Sequence, residues 1–289
     1  LGQLTYACIA DGVGSWKERG VDPAAFSHAL VNALGDELDD MESKVERRKK
    51  EKATMPPSPL RLLQKAWQRT VKEEMVIGSS TACVMTLDTV HGHLVAANVG
   101  DSGFLVIRSH QETEGRLGTL TTPPAPSLNA VVTASSSSLH RSGSRSDTPL
   151  HVAYRSHQQL AAFNQPFQLG YAPGDEDLFQ TPADADVIRV PVLPGDIIIL
   201  ASDGLFDNLF EADLLAELDA HMKHDPDFKD PGKLAKRLAD LSREYAVDKF
   251  RESPFGELAK ENDILYGGGM PDDVTVVIAV VEPNIMDLE

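Results

Sequence analysis

Short apolar runs and amphipathic stretches alternate along this 289-residue chain, and together they predict a mixed α and β fold. Tight turns at residues 88–92 and 100–103 favour an antiparallel meander of the three strands around them. The predicted strands are residues 4–10, 81–87, 93–98, 104–108, 187–190, 196–201 and 274–281. Apolar residues recur at helical spacing in residues 23–52, 60–76, 208–222 and 231–250.

The order of these elements favours one domain spanning residues 1–289. Strands in close succession, separated from pairs of helices, are typical of antiparallel sheets covered by helices. Residues 109–157 have a different character, with a serine run at 135–138, prolines at 123, 124 and 126, and no long apolar run. Because such a segment cannot bury enough apolar surface to offset its ordering entropy, we predict a disordered insertion there.

Composition excludes several classes of function. The net charge of -17 and the pI near 4.9 argue against nucleic acid or an anionic membrane as the main partner. No apolar run approaches the roughly 20 residues of a spanning helix. Cys8 and Cys83 lie in strand-like runs without zinc-site spacing, so buried, reduced thiols are expected. The chain starts at Leu1, without an initiator Met and only three residues before a predicted strand, which we interpret as a fragment or a processed form.

Three short acidic turns carry most of the functional information. Asp11 and Asp203 each follow a buried strand and precede a glycine, and Asp272 lies just before the last strand. A carboxylate at the end of a buried strand is held at the rim of a sheet, where it can face a cation. Asp is a short, hard oxygen ligand that suits Mg²⁺ and Mn²⁺. The turns therefore indicate a metal-dependent hydrolase.

Each turn also has a simpler interpretation. Asp-Gly is a common turn dipeptide, which would explain Asp11 and Asp203, and a tight turn between Gly100 and Gly103 would explain Asp101. Asp272 and Asp273 could simply start a strand. The joint placement of the carboxylates favours metal binding, because like charges in a partly desolvated site repel one another unless a cation neutralises them.

Five motifs occur in a characteristic order along the chain: Asp11-Gly12-Val13-Gly14, residues 78–82, residues 98–103, Ser202 to Asp207, and Asp272-Asp273-Val274-Thr275. On these residues the chain resembles the metal-dependent 2C-type protein serine/threonine phosphatases, the PPM family. The resemblance covers nearly all of the chain except the Ser/Pro-rich insertion. Residues 163–169 and 253–255, followed by Gly-Gly-Met-Pro-Asp-Asp, are similar to the mitochondrial subfamily linked to coenzyme Q biosynthesis.

The resemblance implies an α+β fold in which an antiparallel β-sandwich of two sheets is flanked by helices, in four layers α-β-β-α. It implies hydrolysis of phosphoserine and phosphothreonine in protein substrates by a water that bridges two Mn²⁺ or Mg²⁺ ions, with no side chain as nucleophile. Asp273 is expected to support the metal ligands without binding a metal ion itself. The implied ligands are Asp11 and the Gly12 carbonyl, Asp203 and Asp272, with Asp101 and Asp207 at a weaker third site.

Two departures from the family pattern stand out. Val13 occupies the position where many relatives have a His that is a candidate acid for the leaving group. An acidic pair and a phosphate-binding Arg, one strand and turn before Asp11 in the family, would fall before Leu1. The subfamily implies a mitochondrial location, with a cytoplasmic one as the alternative, and the sequence does not indicate the oligomeric state.

Other functions stay open at this point. A pseudophosphatase of the same fold would bind partners without turnover, and a related hydrolase would act on small phosphoesters. A glycosidase built on two carboxylates would work without metal, so sensitivity to a chelator separates it from the others.

Overall fold

The computed structural model describes residues 4–48, 58–88, 91–109 and 150–282, in which eight longer strands form two four-stranded antiparallel sheets. The first sheet has the order β1-β3-β4-β10, with β1 Leu4–Ile9, β3 Ala82–Asp88, β4 His93–Val99 and β10 Asp186–Pro191. The second has the order β12-β11-β5-β6, with β5 Gly103–Ser109, β6 Leu150–Arg155, β11 Ile197–Ala201 and β12 Val276–Val280. Two short pairs join β2 (Gly78–Ser80) to β9 (Leu169–Tyr171) and β7 (Leu160–Ala162) to β8 (Gln165–Pro166).

The helices cover the outer faces of the sheets. Ser58 caps the second helix, because its Oγ accepts a hydrogen bond from the backbone N–H of Arg61 at 3.3 Å. Ser253 caps the last helix in the same way, through the N–H of Gly256 at 3.0 Å. The helices are α1 Pro23–Arg48, α2 Pro59–Gln68, α3 Asp203–Phe206, α4 Glu211–His224, α5 Pro231–Ala246 and α6 Pro254–Glu261.

Strand alternation divides the apolar side chains among three cores. In β11, Ile198 and Leu200 face the core between the sheets, whereas Ile197 and Ile199 face α4 and α5. In the first sheet, β3 and β4 likewise supply alternate residues to the core between the sheets and to the core beneath α1 and α2. The result is the four-layer α-β-β-α sandwich expected from the sequence, which is confirmed.

The predicted meander is wrong in its third strand. β3 and β4 pair with each other, but β5 pairs with β11 and β6 in the second sheet. The turn after β4 is therefore a corner between sheets. Short turns with Asp and Gly serve hairpins and such corners equally, and only long-range pairing distinguishes the two.

The predicted insertion is too long at its second end. Leu150–Arg155 forms β6, which pairs with β5 in a register that places Leu150 opposite Ser109. Apolar and polar residues alternate in this short strand, a weak signal beside the Ser/Pro-rich sequence before it. Residues 110–149 lie outside the described residues. Helix α6 was not predicted. Helix α1 is described as far as Arg48, and the rest of the predicted helix to residue 52 lies outside the described residues. Helix α2 ends at Gln68 and continues as a π turn over Arg69–Glu73.

A buried ion pair fixes the start of β11. Arg108 donates from Nε to Asp196 Oδ1 at 2.8 Å and from Nη2 to Oδ2 at 2.6 Å, and the N–H of Leu193 donates to Oδ2 at 2.8 Å. Asp196 is fully buried. This bidentate pair lies at the opposite end of β11 from Asp203.

Two expectations about the rest of the chain can be compared with the described residues. Both cysteines are unpaired, and Cys83 is buried as predicted, whereas Cys8 is half-buried. None of the helices in the described ranges is both long and apolar enough to cross a bilayer.

Candidate active site

Strand register brings the acidic turns to one edge of the sandwich. Ala201, the last residue of β11, is paired with the first residue of β5 on one side and the first residue of β12 on the other. Asp203 follows β11, whereas Asp101 precedes β5 and Asp272 precedes β12, so antiparallel pairing places all three at one end of the second sheet. Asp11 joins them from the end of β1 in the first sheet.

The glycines after Asp11 and Asp203 are required by close packing and not by a turn conformation. Neither has a positive φ. A Cβ on Gly12 would lie 2.1 Å from the carbonyl oxygen of Pro23, and one on Gly204 would lie 2.3 Å from the carbonyl oxygen of Asp273. The simple turn interpretation therefore does not account for these glycines, because their role is to let α1 and the Asp272 segment approach the carboxylates.

Hydroxyl groups of the second motif hold the Asp11 turn. The N–H of Asp11 donates to Thr81 Oγ1 at 3.2 Å, and the N–H of Thr81 donates to the Asp11 carbonyl at 2.9 Å. Thr81 Oγ1 also lies 2.8 Å from Ser102 Oγ, which links the Asp11 turn to the turn that contains Asp101. The N–H of Val13 donates to the carbonyl of Ser79 at 3.1 Å.

A second polar network holds the turns of Asp203 and Asp272 together. Ser202 Oγ donates to the Asp273 carbonyl at 3.2 Å and accepts from the N–H of Thr275 at 3.1 Å. Asn208 is fully buried, and its Nδ2 donates to the carbonyls of Gly204 at 2.9 Å and Met270 at 2.8 Å. These contacts place the short helix α3 and the segment before β12 side by side.

Burial and mutual repulsion raise the pKa values of the carboxyl groups at this edge. Burial, followed by the charge of Asp203, raises the pKa of Asp11 to about 8. Burial and the charge of Asp203 raise the pKa of Asp101 to about 7, although backbone N–H donors oppose the rise. Burial and then Asp272 raise the pKa of Asp203, and burial also raises that of the half-exposed Asp272.

Asp207 is the most deeply enclosed member of the set after Asp101. Asp207 is 8% exposed and Asp101 is 5% exposed. Burial, followed by the charges of Asp203, Asp101 and Asp272, raises the pKa of Asp207 well above its ordinary value, and the guanidinium of Arg155 opposes this rise. All five predicted aspartates therefore lie close enough to interact electrostatically.

The set fits a hard divalent cation. Asp11 and Asp203 lie close enough for the charge of Asp203 to raise the pKa of Asp11. Asp203 Oδ1 is buried without a hydrogen-bond partner in the described part of the chain, a costly state that a cation would relieve. Among the described residues, no three His, Cys, Asp or Glu side chains already form a converged ligand group. The carboxylates are therefore gathered at one edge of the sandwich without converging on a single point.

Two further predicted positions, Asp273 and Val13, and four residues without a predicted role complete the description of the site. Asp273 is exposed and lines a cavity of about 500 Å³ together with Lys17 and the start of α1. Val13 offers no proton donor in its side chain. Thr81, Ser102, Ser202 and Asn208 were not given roles from the sequence, because a buried hydroxyl or amide in a motif shows no partner until distant segments are paired.

The fold and this acidic edge define a class, the four-layer α-β-β-α hydrolases with a carboxylate-rich site. The profile of the protein phosphatase 2C family matches residues 2–241. The chain is 32% identical over 277 residues to the Homo sapiens protein phosphatase PTC7 homolog, covering 94% of this chain and 74% of that protein. It is 33% identical over 281 residues to the PTC7 homolog fig of Drosophila ananassae, covering 95% of this chain and 68% of that protein. The X-ray structure of the photosystem II phosphatase PBCP aligns with a TM-score of 0.68 at 26% identity, covering 98% of this chain and 93% of that one.

The chain belongs to the protein phosphatase 2C family. It is a protein phosphatase of the serine/threonine type, and its family implies metal-dependent activity. The resemblance inferred from the ordered motifs is thereby confirmed.

Proposed function

We propose that this phosphatase hydrolyses phosphoserine and phosphothreonine in proteins with two Mn²⁺ or Mg²⁺ ions at the acidic edge. The proposed ligands of the pair are Asp11, the Gly12 carbonyl, Asp203 and Asp272, with Asp101 and Asp207 at a weaker third site. The observation that supports this most directly is the buried Asp203 Oδ1, which has no hydrogen-bond partner among the described residues and lies within a set of five carboxyl groups whose pKa values are all raised.

When bound, such ions neutralise phosphoryl oxygens and lower the pKa of water. The chain's own residues supply the geometry. Thr81 and Ser202 fix the backbone on either side of the Asp11 and Asp203 turns, so each carboxylate is held before a cation arrives. Because Val13 carries no proton donor, protonation of the leaving serine or threonine oxygen must come from solvent or from another group at the rim.

Phosphopeptide turnover with and without a chelator tests the proposal. We expect activity to require Mn²⁺ or Mg²⁺ and to disappear in excess EDTA. Asp203→Asn and Asp272→Asn each remove one anionic ligand at constant size, so turnover should fall by about 100-fold or more with the fold intact. Asp227→Asn, which removes an exposed carboxylate paired with Lys229, is the matched control and should keep wild-type turnover.

The alternatives predict different results from the same assay. Faster turnover of a nucleotide or sugar phosphate than of any phosphopeptide would indicate a small-phosphoester hydrolase. Tight Mn²⁺ binding without turnover of either substrate class would indicate a pseudophosphatase. Undiminished turnover in excess chelator would reject the metal site itself.

Substrate and location are further proposals. The substrates are phosphorylated proteins, because the family acts on proteins. A mitochondrial location stays a prediction from the subfamily resemblance, and imaging of the tagged protein with a mitochondrial marker tests it.

A further inference from the structure

The side chain of Gln159 touches the turn that carries Asp101. Gln159 Oε1 accepts a hydrogen bond from the N–H of Gly100 at 3.1 Å. In the reverse direction, the N–H of Gln159 donates to the Gly100 carbonyl at 2.9 Å. Asn98 Nδ2 also donates to that carbonyl, at 3.3 Å. Both peptide groups of Gly100 are therefore fixed by Gln159.

The hydrogen bonds of Gln159 fix the two peptide groups that precede the Asp101 side chain. The Gly100 carbonyl belongs to the same peptide group as the N–H of Asp101, and the backbone N–H of Gln159 and Asn98 Nδ2 both donate to it. The side chain of Gln159 holds the preceding peptide group through the Gly100 N–H, so a rotation there changes the φ of Gly100 and with it the direction of the Asp101 side chain. Gly100 has φ +101°, and a Cβ there would lie 2.7 Å from the Phe167 carbonyl oxygen, so the turn is tightly enclosed.

Gln159 also connects this turn to the segment formed by residues 160–185. The side-chain Nε2 of Gln159 donates to the Asp184 carbonyl at 3.1 Å, and the backbone carbonyl of Gln159 accepts from the N–H of Phe167 at 2.9 Å. Phe167 and Asp184 lie at two separate points of that segment. Gln159 thus links the segment to the Asp101 turn through both its side chain and its backbone.

We infer that Gln159 is a positioning residue for Asp101 and sets the affinity of the weaker third metal site. The inference depends on the proposed assignment of Asp101 to that site. It assigns no contact between Gln159 and substrate. It further implies that a ligand that shifts residues 160–185 alters the affinity of the third site through the same hydrogen bonds.

Gln159→Met tests the inference, since it keeps the side chain's length and removes the side-chain bonds to the Gly100 N–H and the Asp184 carbonyl, while the backbone bond to the Gly100 carbonyl stays. We expect the Mn²⁺ concentration for half-maximal rate to rise about 10-fold, the lower end for loss of a hydrogen bond behind a ligand. At saturating Mn²⁺ kcat should stay near wild type. A titration that follows free Mn²⁺ by its paramagnetic resonance signal should show the weakest site lost and the tight sites retained.

Gln180→Met is the matched control, because Gln180 Oε1 accepts from a backbone N–H, that of Gln168, at 2.8 Å in the same segment without touching Gly100. It should leave Mn²⁺ dependence unchanged. In an Asp101→Asn background, Gln159→Met should add less than about a twofold change, because residues that act through one site are not additive. An equal shift in that background, or the same shift in Gln180→Met, overturns the inference.

Two further measurements separate other causes. If Asp101→Asn alone leaves Mn²⁺ binding unchanged, the third site is wrong and the inference falls with it, while the two-ion site is unaffected. If Gln159→Met does not fold, Gln159→Glu keeps an acceptor for the Gly100 N–H, loses the donor to Asp184 and adds a negative charge. It should then bind the weakest Mn²⁺ at least as tightly as wild type does, and loss of that ion in a folded Gln159→Glu protein contradicts the inference.

Discussion

Replacing Asp11 by Asn should stabilise the metal-free protein at alkaline pH while abolishing its activity. Burial and the charge of Asp203 hold the pKa of Asp11 at about 8 in the folded chain, against 3.8 for an ordinary Asp. Between these values the folded state binds a proton that the unfolded state has released, so stability falls as pH rises from about 4 to about 8. Asn resembles the protonated form and avoids this loss.

The size of the effect follows from the same pKa values. A tenfold change in proton affinity is about 1.4 kcal/mol, so the full rise of the Asp11 pKa sets an upper limit of about 6 kcal/mol. The repulsion is shared with the neighbouring carboxylates, and the site can relax. We therefore expect Asp11→Asn to raise the free energy of unfolding by about 1–3 kcal/mol at pH 8.5, and by roughly two-fifths of that amount at pH 5.5, where Asp11 is already ionised in the unfolded chain.

Urea unfolding of chelator-treated protein at the two pH values measures this difference. Asp196→Asn is the matched control, because Asp196 is buried in an ion pair with Arg108 at the other end of β11. This variant should lose about 3–5 kcal/mol of unfolding free energy at both pH values. If Asp11→Asn is less stable than wild type at pH 8.5, its carboxylate is a favourable part of the turn and the electrostatic reasoning is wrong.

Three further predictions concern packing, the insertion and pH. Gly12→Ala should lose about 1–3 kcal/mol and bind Mn²⁺ more weakly, because its Cβ would meet the Pro23 carbonyl, whereas Gly14→Ala meets nothing within 4 Å; chemical unfolding and a Mn²⁺ titration of both variants test this. Deletion of residues 114–149 should leave the melting temperature and activity almost unchanged, since Ser109 and Leu150 are paired and the four remaining residues suffice for a hairpin loop; a large loss of either contradicts it. Mn²⁺ affinity, measured by calorimetry, should rise with pH up to about 8 and then level off, because cations compete with protons for Asp11 and Asp101; a flat profile between pH 6 and 8 would show that these groups are already ionised.

Local patterns were sufficient to predict most elements and three members of the acidic set, whereas Asp101 and Asp207 were assigned to it through the family resemblance. Strand ends can be predicted because apolar runs stop at Asp-Gly. Helix α5 can be predicted because Leu234, Leu238 and Leu241 recur on one buried face. The joint placement of Asp11, Asp203 and Asp272 was predicted from their shared form and from the family resemblance. The structure brings them together, whereas their role as ligands stays a prediction.

Sheet membership could not be predicted from the same patterns. β5 follows β4 after a short turn, as a hairpin strand would, but its Phe104 and Val106 face the core between the sheets and its edges pair with β11 and β6. The roles of the polar groups that support the acidic set could not be predicted either. Gln159 and Thr81 acquire their roles from contacts 59 and 70 residues away in sequence, and no local signal distinguishes them from ordinary loop or strand residues.

The division of the carboxylates between the two sheets affects folding kinetics. Asp11 follows a strand of the first sheet, whereas Asp203 and Asp272 flank strands of the second, so the set exists only after the sandwich has closed. A cation that needs all three groups binds neither sheet alone, so it contributes little binding free energy to a folding transition state in which the sheets have not yet met. Mn²⁺ should therefore slow unfolding and leave the refolding rate nearly unchanged. Bound Mn²⁺ would in this way increase the kinetic stability of the enzyme in the cell.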